Sequence, residues 1–146
     1  MALATFVKIS SVNNLSDARY CAGMEVDQLG FVIEEGNENY VSPTDFKEIS
    51  DWISGVEFVG EINDSSSSIK ELRMKYPLDA IQVQHRSQLA EALDSGLKTI
   101  FYTEERQTAI EVLTKYPAVD YVLWHNVETD DLTGIQQSEK LVICEG

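Results

Sequence analysis

The chain has 146 residues, with 11 Lys or Arg against 25 Asp or Glu, which gives a net charge of −14. This length predicts a single domain over residues 1–146, and 43% hydrophobic content is that of a globular rather than a disordered protein. The negative charge repels phosphate backbones and anionic lipid surfaces, so neither nucleic acid nor membrane is expected as a partner.

Seven short apolar runs punctuate the chain at regular intervals. Most are nearly continuous in apolar residues, which is typical of strands buried on both faces of a parallel sheet. The predicted strands are residues 6–10, 27–33, 57–62, 80–84, 99–102, 121–124 and 141–144.

Helical patterns fill most gaps between these strands. Asn14, Ser42 and Thr103 are predicted N-caps, and Pro77 and Pro117 predict where two helices end. The segment 127–138 is polar and weakly helical at best. The predicted helices are residues 15–24, 43–53, 66–76, 87–95 and 104–116.

The alternation of strand and helix repeats about every 20–25 residues. The phrase KYP ends two helices, and each copy is followed by an Asp and a strand. This repeat indicates βα units with right-handed crossovers. Periodicity alone leaves two architectures open, a (β/α) barrel and a doubly wound flavodoxin-like sheet.

Cysteine usage and the N-terminus predict a cytoplasmic protein. Cys21 and Cys144 lie far apart without a CxxC pair, so neither a disulfide framework nor a zinc site is expected. The opening MALATF is not that of a signal peptide, and no apolar run approaches ~18 residues.

Polar residues follow the first strand. In parallel α/β folds, the residues just beyond the carboxyl ends of the strands form the functional site. Ser10, Ser11 and Asn13 occupy that position, and none is a natural acid or base at neutral pH. The predicted site is therefore polar and chemically mild.

Five segments resemble the phosphoribosylanthranilate isomerase family of tryptophan biosynthesis. VKISSVNNLSDA is similar to that family's V-K-I-C-G-[IL]-[TR]-x-x-x-D-A opening, and VDQLGFVIEEGNENYVSP to its segment ending S-x-R-[YF]-[IV]-[ST]-P. AIQVQH, DYVLWHN and LVICEG resemble later strands more loosely. The resemblance implies a (β/α) barrel, truncated to about seven parallel strands.

The family's reaction is an Amadori rearrangement, which needs a general base and a general acid. The resemblance places Ser10 at the position of the base, a cysteine in the family, and Ser11 at the glycine that follows it. It places His125 at the position of the general acid, an aspartate. A serine hydroxyl is a far poorer base than a thiol unless a neighbouring base activates it.

The resemblance also implies the substrate-binding positions. Asn39 falls on an arginine of the family and Gln84 on its histidine, whereas Gln82 and Lys8 are kept. Lys8 is either a retained cation of the site or a structural partner of an internal carboxylate such as Glu61. With Lys8 as the one expected cation, we expect a small polar metabolite as ligand and weak binding of phosphosugars.

Three functions remain open from the sequence. The first is an isomerase-like protein with impaired catalysis, because Ser10 and Asn39 replace the family's residues and because the sequence ends at Gly146, where a phosphate-binding loop is expected to follow. The second is an active isomerase of a phosphosugar-type substrate, and the third is a non-catalytic binding or interaction module. No cofactor is expected. The acidic residues Glu128, Asp130 and Asp131 indicate a solvated loop rather than a metal site.

The expected barrel also bears on the oligomeric state. Without an eighth strand, the edges of the first and seventh strands face a gap, and unpaired apolar edges favour pairing. The gap can close by narrowing, by cover from residues 1–5 or by a second chain. A homodimer is the predicted outcome.

Overall fold

The computed structural model describes residues 7–125 and 141–144. Within them, seven parallel strands form one sheet in the sequential order β1-β2-β3-β4-β5-β6-β7. The strands are β1 (Lys8–Ile9), β2 (Gln28–Val32), β3 (Glu57–Glu61), β4 (Ala80–Val83), β5 (Lys98–Thr103), β6 (Tyr121–His125) and β7 (Leu141–Cys144).

The sequential order confirms the predicted truncated (β/α) barrel and excludes the flavodoxin-like alternative. A doubly wound sheet would reverse its order at the first strand, whereas each strand here pairs with its neighbours in the chain. The register advances steadily around the sheet, with Lys8 opposite Gln28 and Gln28 opposite Glu57. All carboxyl ends therefore meet at one rim.

Five helices follow the predicted pattern with shifted ends. Ser42 and Asn14 cap their helices as predicted, through side-chain oxygens that accept from the backbone N–H groups of Asp45 and Asp17. The helices are α1 (Leu15–Gly23), α2 (Pro43–Asp51), α3 (Ile69–Lys75), α4 (Leu89–Asp94) and α5 (Arg106–Lys115), and a 3₁₀ turn at Arg86–Gln88 precedes α4.

Three predicted helix starts are too early. The predicted start at residue 87 falls in the 3₁₀ turn, and α4 begins at Leu89. The third helix begins after Ser68, whose hydroxyl accepts from the Glu71 N–H, rather than at Ser66 as predicted. The fifth is preceded by Glu105, and the predicted cap Thr103 instead ends β5 and accepts a hydrogen bond from the Glu105 N–H. Each serine or threonine in a polar run offers a competing local hydrogen bond, so sequence alone does not choose among them.

The main core lies between the sheet and its helices. Aromatic rings from β2, from α2 and from the residue after α3 meet there edge to face, with Phe31 and Phe46 centroids 5.0 Å apart and Phe46 and Tyr76 centroids 5.5 Å apart. The Tyr76 hydroxyl donates to the Val41 carbonyl at 2.7 Å, which satisfies the one polar group that this buried ring carries. The same packing fixes the loop after β2, which borders the carboxyl-end rim.

The interior of the sheet is layered. Val59, Ala80, Ile100 and Leu123 form a thin apolar layer across four strands. Charged pairs lie on either side of it, Lys98 with Glu57 at the amino ends of the strands and a second pair near the carboxyl ends. The apolar layer therefore separates a polar base from a polar site.

Several sequence-based interpretations fall outside the described residues. These are the weak helix at 127–138, the acidic residues Glu128, Asp130 and Asp131, the cover from residues 1–5 and the end of the chain at Gly146. Among the described residues, no helix has the length and apolarity to cross a membrane. The same residues hold no group of three or more metal-ligating side chains.

Candidate functional site

A cavity of about 320 Å³ opens at the carboxyl ends of the strands. Five residues singled out from the sequence line it, and they come from the loop after β1, from the carboxyl end of β4 and the residue that follows it, and from β6. These residues are Ser10, Ser11, Gln82, Gln84 and His125. The fold thus brings together residues that span most of the chain.

Lys8 lies beneath the cavity. Its Nζ lies 2.5 Å from Glu61 Oε2, and both side chains are almost fully buried. The ammonium also donates to Ser10 Oγ at 2.8 Å. Of the two roles considered for Lys8, the structure shows pairing with the internal carboxylate, so most of its charge is compensated before any ligand arrives.

Backbone features on both sides hold Glu61 in place. Gly30 on β2 has no side chain to obstruct the pair, since a Cβ there would lie 2.7 Å from Glu61 Cδ and 3.0 Å from Lys8 Nζ. Ser11 has a φ of 57° and donates its N–H to Glu61 Oε1 at 2.9 Å. A left-handed serine is strained, and it occupies the position where the family resemblance placed a glycine.

His125 belongs to a cluster on the β5–β6 side of the cavity. Its Nδ1 lies 2.8 Å from the Tyr102 hydroxyl and 3.4 Å from Glu104 Oε1. The Tyr102 hydroxyl also donates to Glu104 Oε1 at 3.3 Å. An imidazole between a phenol and a carboxylate can hold or transfer a proton at the edge of the cavity.

The opposite side of the cavity is formed by the loop after β3. Gln84 Nε2 donates to the Asn63 carbonyl at 2.9 Å, and His85 Nε2 lies 3.0 Å from the same oxygen. Buried Glu34 fixes this loop because it accepts from the Asn63 N–H at 2.6 Å and from the Ser67 hydroxyl. The loop is therefore held by side chains from the segments that follow β4 and β2.

Like Lys8, Asn39 is a predicted site residue that does not line the cavity. Its Oδ1 accepts from Asn13 Nδ2 at 2.8 Å, and its backbone is left-handed with a φ of 66°. Asparagine tolerates this conformation better than most residues. Asn39 thus links the loops after β1 and β2 at the surface and brings no charge to the cavity.

Sequence reasoning did not single out Tyr102 and Asn63, which also line the cavity, or Glu104 beside it. Tyr102 lies two residues after Ile100 on β5, so the two side chains share the inward face of the strand. Strand periodicity could therefore have placed Tyr102 in the site. Glu104 and Asn63 lie in loops, where no periodic pattern indicates the direction of a side chain.

The fold and this cavity define a class, a truncated (β/α) barrel with a polar site at the carboxyl ends of its strands. No protein-family model and no curated protein sequence matches the chain. Solved structures do match it, and those described next are all phosphoribosylanthranilate isomerases.

The enzyme from Thermus thermophilus has a TM-score of 0.81 at 19% identity, over 97% of this chain and 77% of that chain. Monomers generated from the dimeric enzyme of Thermotoga maritima give 0.75 at 22% identity, over 98% and 76%. The N-(5'-phosphoribosyl)anthranilate isomerase of Pyrococcus furiosus gives 0.75 at 13% identity, over 98% and 78%. The predicted resemblance is confirmed for the fold, and at these identities the activity must be argued from the residues of the site.

Proposed function

We propose that this chain is an isomerase-like protein with impaired catalysis and that its cavity binds a small polar metabolite. The observation that supports this most strongly is the environment of Ser10, which falls on the family's catalytic base. In the part of the chain that the structure describes, Ser10 makes no hydrogen bond to an imidazole or carboxylate. Its oxygen accepts from Lys8, and an ammonium paired with Glu61 cannot also take up the serine proton.

The lack of uncompensated positive charge supports the same proposal. One solved isomerase, which matches with a TM-score of 0.67 at 18% identity over 98% of this chain and 88% of that chain, is in complex with reduced 1-(o-carboxyphenylamino)-1-deoxyribulose 5-phosphate. That ligand carries a carboxylate and a phosphate. The described residues that line this cavity include neither Lys nor Arg. An anionic ligand would lose its hydration on entering the cavity, and the lining would offer little positive charge to compensate for that loss.

Complementation tests the proposal. We expect that expression of this chain does not restore growth of a tryptophan auxotroph that lacks the isomerase, whereas the Thermotoga maritima enzyme does. The variant Ser10→Cys with Asn39→Arg restores the two side-chain types that the resemblance implies and shows whether these positions suffice. Growth supported by the unmodified chain would contradict the proposal.

An active isomerase is the second candidate, and one observation favours it. His125 contacts both Tyr102 and Glu104, an arrangement that suits a general acid. If the chain is active, His125→Asn should lower kcat by about 10²–10⁴-fold without loss of fold. Tryptophan biosynthesis would then be its pathway.

We also propose that the chain forms a homodimer in the cytoplasm. In the described residues, β1 pairs on one side with β2 and β7 on one side with β6, so each leaves an edge without a described partner. Tyr20 on α1 and Met24, which caps the carboxyl end of α1, are 71% and 65% exposed and lie about one turn apart. Sedimentation equilibrium should give the dimer mass, and Tyr20→Lys should shift it to the monomer. A monomer mass for the wild type would contradict the proposal.

A further inference from the structure

Gln82 carries a buried acceptor that the described chain leaves unsatisfied. Its side chain lines the cavity, the residue is 8% exposed, and its Oε1 has no hydrogen-bond partner among the described residues. Buried polar groups nearly always have a partner in folded proteins. Because this oxygen belongs to a side chain that lines the cavity, a donor group of a bound ligand can satisfy it.

Gln82 can present this oxygen to a ligand. The oxygen is itself buried, but the terminal torsion of a glutamine is broad and roughly two-fold, so the amide can turn without leaving its rotamer. A turned amide exchanges the positions of its oxygen and nitrogen, so the carbonyl can accept a hydrogen bond from a ligand in the cavity. A hydroxyl or amine of the ligand would be the donor.

Glu61 offers a second acceptor at the bottom of the cavity. Its Oε2 accepts from Lys8, and its Oε1 accepts from the Ser11 N–H. The Ser11 hydroxyl lies 3.5 Å from Oε1, at the limit of a hydrogen bond. Since each carboxylate oxygen has two acceptor positions, Glu61 can accept further hydrogen bonds while its charge stays paired with Lys8.

The cavity also contains donors and little net charge. Ser10 and Ser11 bring hydroxyl groups, and His125 brings an imidazole at the edge. The described residues that line the cavity include no Lys or Arg, and the chain as a whole has a net charge of −14. This lining favours ligand groups that both donate and accept hydrogen bonds, such as hydroxyls. It disfavours a dianionic phosphate, because no cationic side chain of the described lining compensates the charge.

We propose that the cavity binds a small uncharged polyhydroxyl compound, an unphosphorylated sugar or sugar alcohol, with Gln82 and Glu61 accepting from its hydroxyl groups. Vicinal hydroxyls suit a site in which two acceptors lie beside hydroxyl donors. The volume of about 320 Å³ falls in the range of small-molecule sites, roughly 300–1,000 Å³. This assignment rests on the proposed binding function and adds the class of ligand.

Calorimetric titration with ribitol tests the assignment, with D-ribose 5-phosphate as the charged comparison at matched ionic strength. Ribitol should bind saturably, and the phosphate ester should bind at least about tenfold more weakly. Gln82→Met should weaken ribitol binding by about five- to tenfold because it removes one acceptor. Gln82→Glu keeps acceptor oxygens at the same position and should bind ribitol more tightly than Gln82→Met does.

Gln88 provides the matched control. It is 4% exposed, its Oε1 also lacks a partner among the described residues, and it does not line the cavity. Gln88→Met therefore removes an equally buried amide and should leave ribitol affinity within twofold of wild type. If Gln82→Met fails to fold, exposed Ser10 replaces it, since Ser10→Leu narrows the opening of the cavity and should abolish ribitol binding.

Two results would overturn the assignment. One is the absence of ribitol binding, or tighter binding of the phosphate ester. The other is ribitol affinity unchanged in Gln82→Met or, where that variant does not fold, in Ser10→Leu. Either result in a protein without isomerase turnover leaves the proposed loss of catalysis standing. Turnover of the isomerase substrate would instead refute the proposed function itself.

Discussion

Lys8 on β1 and Glu61 on β3 join across the intervening strand, with Nζ 2.5 Å from Oε2. The contact passes over Gly30 of β2, which leaves room for both side chains. The two side chains are 3% and 5% exposed, so the pair lies in a region of low effective dielectric. This ion pair explains why a lysine at the expected site is not a free cation for a ligand.

Breaking this ion pair should be costly. Lys8→Met leaves a buried carboxylate and Glu61→Gln leaves a buried ammonium, so each should lower the free energy of unfolding by about 3–5 kcal/mol. The double variant should cost about 1–3 kcal/mol less than the sum of the two single variants. Urea denaturation of the four proteins measures this coupling.

The pair Lys98–Glu57 at the other end of the sheet is the control. Its side chains are 46% and 34% exposed, so the same cycle should give a coupling below about 1 kcal/mol. Equal coupling energies in the two ion pairs would contradict the expectation that burial strengthens the Lys8–Glu61 pair.

Gly30→Ala should disturb the ion pair without removing either charge. The added Cβ would lie 2.7 Å from Glu61 Cδ, which requires the pair to shift, and we expect a loss of about 1–3 kcal/mol in the free energy of unfolding. Gly23→Ala is the matched control, because nothing lies within 4 Å of the added Cβ and the residue is helical. That control should be neutral or stabilising by up to about 1 kcal/mol. A Gly30→Ala protein as stable as wild type would show that the close approach is not important.

The pH dependence of stability should report on Glu57 and Lys98. Burial raises the pKa of Glu57, but hydrogen bonds from Lys98 and Gln28 outweigh this effect, so its pKa lies below the ordinary value of 4.5. The lowered pKa of Glu57 stabilises the folded protein. This stabilisation is fully present above the ordinary pKa of the carboxyl group and is lost as the pH falls through the lowered pKa of the folded state. The hydrogen bond to Glu57 raises the pKa of Lys98 above 10.5, so its contribution is lost as pH rises through the raised value.

Glu57→Gln should therefore cost a constant amount of stability, below about 1 kcal/mol, from about pH 6 to about pH 9. The difference from wild type should shrink in acid, below the ordinary pKa of 4.5. Thermal denaturation across this range measures it, and a difference that grows as pH falls would contradict the assigned direction of the shift.

The sequence predicted the strands well because each is a short apolar run with clear turn signals. The strand at residues 141–144 has the predicted bounds, and β3 differs by one residue at its end. Helix starts were less predictable, as the serine run before α3 offers several caps of similar strength.

The site was predictable where strand periodicity governs it. Ser10, Gln82 and His125 lie at the ends of strands whose direction the pattern already indicates, and all line the cavity. The partner of His125 in the loop after β5, Glu104, could not be placed, because its position depends on how the loop turns. The environment of Ser10 was likewise not predictable, because it depends on the position of Lys8. Glu61 fixes that position through an ion pair between residues 53 apart in sequence.

Direct measurement of turnover tests the central claim most sharply. The purified chain and the Thermotoga maritima isomerase should be compared on N-(5'-phosphoribosyl)anthranilate in the same assay, with Ser10→Cys as a third sample. The account predicts a kcat/KM for this chain at least about 10²-fold below that of the reference enzyme, because no carboxylate or imidazole among the described residues contacts Ser10 to activate it. A kcat/KM within about tenfold of the reference would contradict the account.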